Sequence, residues 1–250
     1  VSTTSALSKV PEVTLLFWIV KILATTLGET GGDAVSMSMN LGYLVSSGIF
    51  AVIFIAAVIA QIKAEQFNPL LYWTTIVATT TLGTTLADFA DRSLGIGYPG
   101  GTTLLLTLLL LSLYVWHRVE GSIAVTTVNT PRVEIFYWVT IMFSQTLGTA
   151  LGDWSADSLE MGYLYSAIIF GGLLSLIAAA YFYTKISRTA LFWAAFILTR
   201  PLGAVVGDFL DKPLDHGGLA LSRYTASAVL IAVIAVCIFS FQHRAAAKAH

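Results

Sequence analysis

Four stretches of this chain decide its fold: FWIVKILATTLGETGGD at 17–33, YWTTIVATTTLGTTLAD at 72–88, YWVTIMFSQTLGTALGD at 137–153 and FWAAFILTRPLGAVVGD at 192–208. They align without gaps on Trp18, Trp73, Trp138 and Trp193. Ten residues after each Trp stands Gly28, Gly83, Gly148 or Gly203, and fifteen after it Asp33, Asp88, Asp153 or Asp208. Nine residues further comes Gly42, Gly97, Gly162 or Gly217, followed by Tyr in the first three copies and by Gly218 in the last. Accidental similarity between apolar segments explains shared Leu and Ala but not a recurring Asp, so the chain is built from internal repeats.

The residues around these stretches name the solvent. Of 250 residues, 56% are hydrophobic and 11% charged, with a mean hydropathy of +0.81. Soluble domains carry about 25% charged residues, so a soluble domain is excluded and lipid is the expected surroundings. A bilayer core needs about 20 apolar residues per helical crossing. Each repeat reads as a helical hairpin, a motif-bearing helix followed by a plainer one such as GYLVSSGIFAVIFIAAVIAQ at 42–61. The expected fold is an all-α polytopic membrane protein, a single transmembrane domain over 1–250. It has eight transmembrane helices, as four parallel hairpin repeats around an axis along the membrane normal. The repeats span approximately 12–62, 68–118, 132–183 and 188–241, with pseudo-symmetric halves 1–125 and 126–250. Pro11, Pro69 and Pro131 mark helix starts, because Pro suits the first helical turn. The Trp spacings of 55, 65 and 55 point to a duplicated half joined by the longer segment near 117–131.

Sidedness follows from Lys and Arg in short loops. Lys9, Lys63, Arg118, Arg132, Lys185, Arg188, Arg244 and Lys248 fall on the side of both termini, against Arg92, Lys212 and Arg223 on the other. Both termini are expected in the cytoplasm, with the chain in a bacterial inner membrane. A net charge of −1 provides no basic field for nucleic acid. The single cysteine, Cys237, excludes a disulfide framework and a cysteine-based metal site. The first apolar segment holds Lys21, Glu29 and Asp33, unlike the clean apolar core of a cleaved signal. Because the chain begins at Val1 rather than Met, a leader ahead of it stays open.

On a helix, positions four apart lie nearly above one another. The residues 7, 11 and 15 places after each Trp form such columns: Thr25, Glu29, Asp33; Thr80, Thr84, Asp88; Gln145, Thr149, Asp153; and Arg200, Ala204, Asp208. Polar groups in hydrocarbon must face protein or water, so the four motif helices are expected to turn these columns towards a shared interior. Thr25, Thr80, Thr84, Gln145 and Thr149 would line a polar pathway there. Pairs such as Gly28 and Gly32, or Gly203 and Gly207, allow close helix approach. Each Asp lies roughly 22 Å beyond its Trp along the helix, near the outer mouth, and each Trp is expected as an interfacial anchor. Asp91, Asp157 and Asp211 follow three or four residues after their partners, on the same face if the helix continues.

The sign of the ligand follows from a count. Up to the repeated Asp, the motif helices hold five acids (Glu29, Asp33, Asp88, Asp153, Asp208) and two bases (Lys21, Arg200). Such a set needs protons or a cation to neutralise it, with Lys21 and Arg200 as internal counter-ions. Carboxylates with Thr, Gln and carbonyl oxygens are hard donors suited to Mn, Ca or Mg. The expected metal ligands are Glu29, Asp33, Asp88, Asp91, Asp153, Asp157, Asp208 and Asp211. No tightly bound cofactor is expected; the divalent cation is the substrate. Met37, Met39 and Met161 are read as packing residues, and His216 as a solvated loop residue.

The fourfold W-x9-G-x3-[GA]-D pattern resembles a family of bacterial integral-membrane proteins, described as membrane-anchored, built from four copies of a repeat of unknown function. The resemblance implies a four-repeat membrane protein and no particular activity. Locally, the stretch from Glu29 to Asp33 is similar to the E-x-G-D signature of manganese or calcium/proton exchangers, whose acids bind the metal. No nucleophile with its base and no H-E-x-x-H site is present, so no enzyme is expected. The expected function is a divalent cation transporter, proton-coupled. The alternatives are a cation-selective channel, a carrier for a small organic cation using Phe89, Trp154 and Phe209 as aromatic faces, and a structural protein whose Asp residues tie the hairpin tips.

Overall fold

A computed structural model describes residues 8–246, and Lys248, counted above for sidedness, lies outside them. Among the described residues there are eight α-helices and no strands: α1 (Leu15–Asp33), α2 (Gly42–Lys63), α3 (Pro69–Asp88), α4 (Gly97–Glu120), α5 (Pro131–Asp153), α6 (Gly162–Tyr183), α7 (Arg188–Asp211) and α8 (Arg223–Ser240). The odd-numbered helices carry the motif. Each starts on a side-chain cap that satisfies an otherwise orphan backbone N–H: Thr14 accepts from Phe17, Asn68 from Leu71, Thr130 from Val133 and Ser187 from Ala190. Pro69 and Pro131 occupy the first helical position as expected. Pro11 does not. It lies ahead of Thr14 and pairs with Ala245 in an isolated antiparallel bridge, so the cap rather than the proline sets the start of α1.

After the repeated Asp, α1, α3 and α5 each run into a five-residue π-helical turn, Ala34–Ser38, Phe89–Ser93 and Trp154–Ser158. The turns leave the chain needing a left-handed residue where the next helix begins. Gly42, Gly97 and Gly162 supply it at φ of +72°, +74° and +70°, which accounts for the glycine at this spacing. In the fourth copy α7 continues to Asp211, and a short 3₁₀ turn, Leu214–His216, ends on Gly217 at φ +79°.

The four motif helices form a closed ring: α1 packs on α3, α3 on α5, α5 on α7, and α7 back on α1. The outer helices correct the hairpin expectation. Each plain helix leans mainly not on the motif helix of its own repeat but on that of the next: α2 on α3, α4 on α5, α6 on α7, and α8 on α1. Both arrangements use the same connections, so the repeat pattern does not distinguish them.

Glycine sets the ring's closeness by one rule repeated four times. A Cβ at Gly28 would run into Thr80, at Gly83 into the Gln145 backbone, at Gly148 into Arg200 and at Gly203 into Thr25. In each case the glycine ten places after one Trp abuts the residue seven places after the next Trp around the ring. One turn on, Gly32 faces Thr84, Gly152 faces Ala204 and Gly207 faces Glu29 in the same relation.

At the Trp end the ring is filled by aromatic side chains. Phe17 meets Trp73, Tyr72 meets Trp138, Tyr137 meets Trp193 and Phe192 meets Trp18, with centroids 5.4, 5.7, 6.3 and 5.8 Å apart. Trp73, Trp138 and Trp193 are buried and Trp18 is partly so. The expectation that they anchor the chain at an interface is therefore corrected: they pack the end of the ring. Residues Ser8–Pro11 lie over this end, with Lys9 buried against Glu134 at 2.7 Å.

Helices α2, α4, α6, α7 and α8 are long and apolar enough to cross a membrane. The outer helices also expose wide apolar faces, with Val52, Leu110, Leu176 and Val236 all more than half exposed. These are the marks of a membrane protein. Helices α1, α3 and α5, which carry the polar columns, fall short of that measure of apolarity.

Candidate functional site

The polar columns face inward, as their burial shows: Thr25, Thr80, Thr84, Gln145, Thr149 and Arg200 are fully buried, and Glu29 and the four repeated Asp nearly so. The site therefore has three levels above the aromatic end. In the lowest, the Lys21 ammonium lies 4.1 Å from the centre of the Phe196 ring and donates to Gln145 Oε1 at 3.5 Å. Thr25 is taken up by backbone, donating to Ile22 O at 2.8 Å and reaching Thr199 O at 3.3 Å. Thr80 Oγ1 has no hydrogen-bond partner.

The middle level is held by one side chain. Arg200 starts at the level of Thr25, but its guanidinium rises one turn towards the Asp end. There Nη2 donates to Glu29 Oε2 at 3.0 Å, to Thr84 Oγ1 at 2.6 Å and to Thr149 Oγ1. Thr84 also reaches Glu29 Oε2 at 3.3 Å. All four motif helices thus contribute to one contact on the ring's axis. Ala204 occupies the α7 column at this level, and its small side chain leaves room for the Arg200 head. Gly148 does the same for the Arg200 stem, which a Cβ there would strike.

The outer level divides the four Asp into two pairs. Arg92 bridges Asp88 and Asp153, at 3.1 Å from each. Lys212 bridges Asp208 and Asp33, at 2.9 Å from each. Arg92 and Lys212 each stand four residues beyond the Asp of an even-numbered repeat, so the two bridges are related by the duplication of the halves. Arg223 pairs with Asp211 at 2.6 Å and lies 3.7 Å from Asp33. The excess of acid counted along the helices is largely answered by these three bases from the tips.

Of the eight carboxylates expected to bind metal, three come together. Oxygens of Glu29, Asp33 and Asp208, all buried, lie within 4.8 Å of one another. Asp88 and Asp153 sit under Arg92 on the other side of the ring. Asp91 turns away and packs against Gly101 of α4, where a Cβ would meet its carboxylate. Asp157 is exposed at the rim, 3.4 Å from the hydroxyls of both Tyr98 and Tyr163. Met39 and His216 are exposed, and Phe209 packs among Tyr163, Phe170 and Val205 rather than around the acids.

The sequence reading missed the bridging role of Arg92, Lys212 and Arg223, which it used only to assign sides. A signal for two of them was present: Arg92 and Lys212 both stand nineteen residues after their Trp, one turn past the Asp on the same face. It also missed Glu134, the buried partner of Lys9.

A ring of four repeated inner helices, each backed by an apolar outer helix and holding carboxylates in its interior, defines a four-repeat membrane protein with a buried charged site. The family described as Repeat of Unknown Function (DUF347) matches the chain four times, at residues 16–67, 71–122, 136–187 and 191–247, and the protein belongs to that family. Comparison with curated proteins and with solved structures finds no match.

Proposed function

We propose that this protein carries a divalent cation of the Mn, Ca or Mg class across a bacterial inner membrane, coupled to protons, through eight crossings with both termini in the cytoplasm. The observation that carries this reading is the approach of Glu29, Asp33 and Asp208, three buried carboxylates within 4.8 Å. Carboxylate oxygens are the ligands that these hard cations take, and acids buried within a membrane helix mark ion pathways more often than packing. A carrier fits better than an open pore. Arg200 with Glu29, Thr84 and Thr149 closes the axis at mid-height, and the aromatic belt closes its Trp end. Transport would then alternate exposure of the acids between the two sides. Lys21, buried below the Arg200 contact, is the group placed to couple protons to that change.

The test is uptake of Mn²⁺ into vesicles containing the purified chain and a metal-sensitive dye, with and without a pH gradient. Flux that depends on the gradient and is abolished in Asp33→Asn and Asp208→Asn is expected. A parent protein that neither binds nor moves Mn²⁺, Ca²⁺ or Mg²⁺ overturns the reading. One observation favours a second, structural reading: Arg92 and Lys212 clamp all four repeated Asp in ion pairs. Under it, the Asn variants lower thermal stability and no cation changes the stability of the parent.

A further inference from the structure

The two bridges at the outer level occupy equivalent places but are chemically unequal. On one side Arg92 holds Asp88 and Asp153. A guanidinium is planar and always charged, and it suits a fixed strut between two carboxylates. On the other side the bridging group is the Lys212 ammonium, 2.9 Å from both Asp33 and Asp208. An ammonium is a compact point charge on a flexible stem. Among the described residues, this side alone brings a third acid to its bridged pair, since Glu29 reaches within 4.8 Å of the same two carboxylates, whereas the corresponding residue of the third repeat is Thr149. Asp33 is 1% exposed and keeps its Oδ1 buried without a hydrogen-bond partner. It has coordinating capacity that Lys212 leaves unused.

The charges favour replacement of Lys212 by a divalent ion. Glu29, Asp33 and Asp208 bring three negative charges, of which the Arg200 guanidinium answers one through Glu29. Lys212 answers a second; Arg223, 3.7 Å from Asp33, is taken up by Asp211 at 2.6 Å, so one is left uncancelled. A divalent ion in the place of Lys212 leaves none, and a monovalent ion only repeats what Lys212 supplies. Lys212 also has a way out. Its side chain is 14% exposed, while its backbone is held by the tip, where Ala220 donates to its carbonyl at 2.9 Å. The side chain can swing towards solvent without moving the helix end.

We infer that the Lys212 ammonium is a tethered resident cation, seated between Asp33 and Asp208 when the site is empty and displaced outward when a divalent cation binds Glu29, Asp33 and Asp208. It makes the site selective for charge, and it spares the acids from being left uncompensated. This rests on the transport reading and adds to it the identity of the group that competes with the substrate.

The experiment measures Mn²⁺ binding calorimetrically to the full chain in detergent, for the parent, Lys212→Met, Lys212→Arg and Arg92→Met. Removing an occupant that holds the site most of the time tightens apparent affinity by the fraction it had blocked. Lys212→Met is therefore expected to bind about tenfold tighter than the parent, Lys212→Arg more weakly than the parent, and Arg92→Met to tighten clearly less than Lys212→Met, since it removes a charge from the mouth but no occupant from the site. Parent binding with Lys212→Met equal or weaker overturns the role of Lys212 and leaves the transport reading in place. Equal tightening in Arg92→Met also overturns it, since the effect is then a general loss of positive charge at the mouth. Where Lys212→Met does not fold, Lys212→Arg decides, and binding as tight as the parent's overturns the inference. Absence of Mn²⁺ binding in every form, parent included, removes the transport reading itself.

Discussion

Arg200 is the residue on which the interior depends. It is fully buried and pairs with Glu29, and removing one partner of such a pair strands the other in a low dielectric. Arg200→Met is expected to destabilise the protein by about 3–5 kcal/mol. Adding Glu29→Gln to it should recover much of that loss, because the stranded charge is gone. Thermal unfolding of the two variants in detergent checks this, and a double variant no more stable than the single one would count against it. The place of Arg200 was only partly legible beforehand. Its position in the α7 column is a matter of counting from Trp193, but a side chain long enough to reach the next level does so only if that level has room. Ala204 and Gly148 provide it, and neither is read as a partner of Arg200 until the helices are seen together. The acids show the same limit. Their inward face follows from helical periodicity, yet which of them meet depends on how far each tip turns after its Asp.

At the scale of the element, glycine separates contact from mere helix composition. Gly203 sits against the backbone of Thr25, where a Cβ would approach Thr25 C to 2.9 Å, and Gly83 likewise against Gln145 C at 2.9 Å. Backbone does not yield as a flexible side chain does. Gly203→Ala and Gly83→Ala are expected to cost about 1–3 kcal/mol through overpacking. A Cβ at Gly31 meets nothing within 4 Å, so Gly31→Ala should be neutral or stabilising by up to about 1 kcal/mol. Unfolding midpoints of the three variants, measured side by side, test the opposite signs. The glycine pairs were legible as close-approach surfaces, since small residues four apart have few other uses in lipid. The tryptophans were not. An indole near a helix start in an apolar chain serves an interface or a packed end equally well, and only Phe17, Tyr72, Tyr137 and Phe192, each just before its Trp, reveal the stacking around the ring.

The molecule as a whole has two unlike ends. Bases and acids are interleaved at the tips, where Arg92, Lys212 and Arg223 are drawn into ion pairs, while Lys63, Arg118 and Lys185 are exposed at or near the Trp end. Orientation by positive charge therefore predicts tips outside. With the single native cysteine changed to serine, a cysteine at Asp215 is expected to react in intact cells with a thiol reagent that does not cross membranes. One at Ser187 should react only after lysis. The reverse pattern would invert the proposed topology. Eight helices were legible from the repeat, because each copy has length for two. Which helix leans on which was not, since the connections at both ends are short enough for either partner.

That choice of partner bears on how such a chain arose. Because α2 lies on α3, α4 on α5, α6 on α7 and α8 on α1, each outer helix mainly covers an inner helix other than that of its own repeat, and among the described residues α8 covers α1. A molecule of only two repeats would leave α1 bare and α4 without a seat. It would complete the same structure only by pairing with a copy of itself, the α4 of each chain covering the α1 of the other. Joining the two chains end to end turns that dimer into the present single chain. It also allows the two bridging positions to diverge into Arg92 and Lys212, a difference that identical subunits cannot hold.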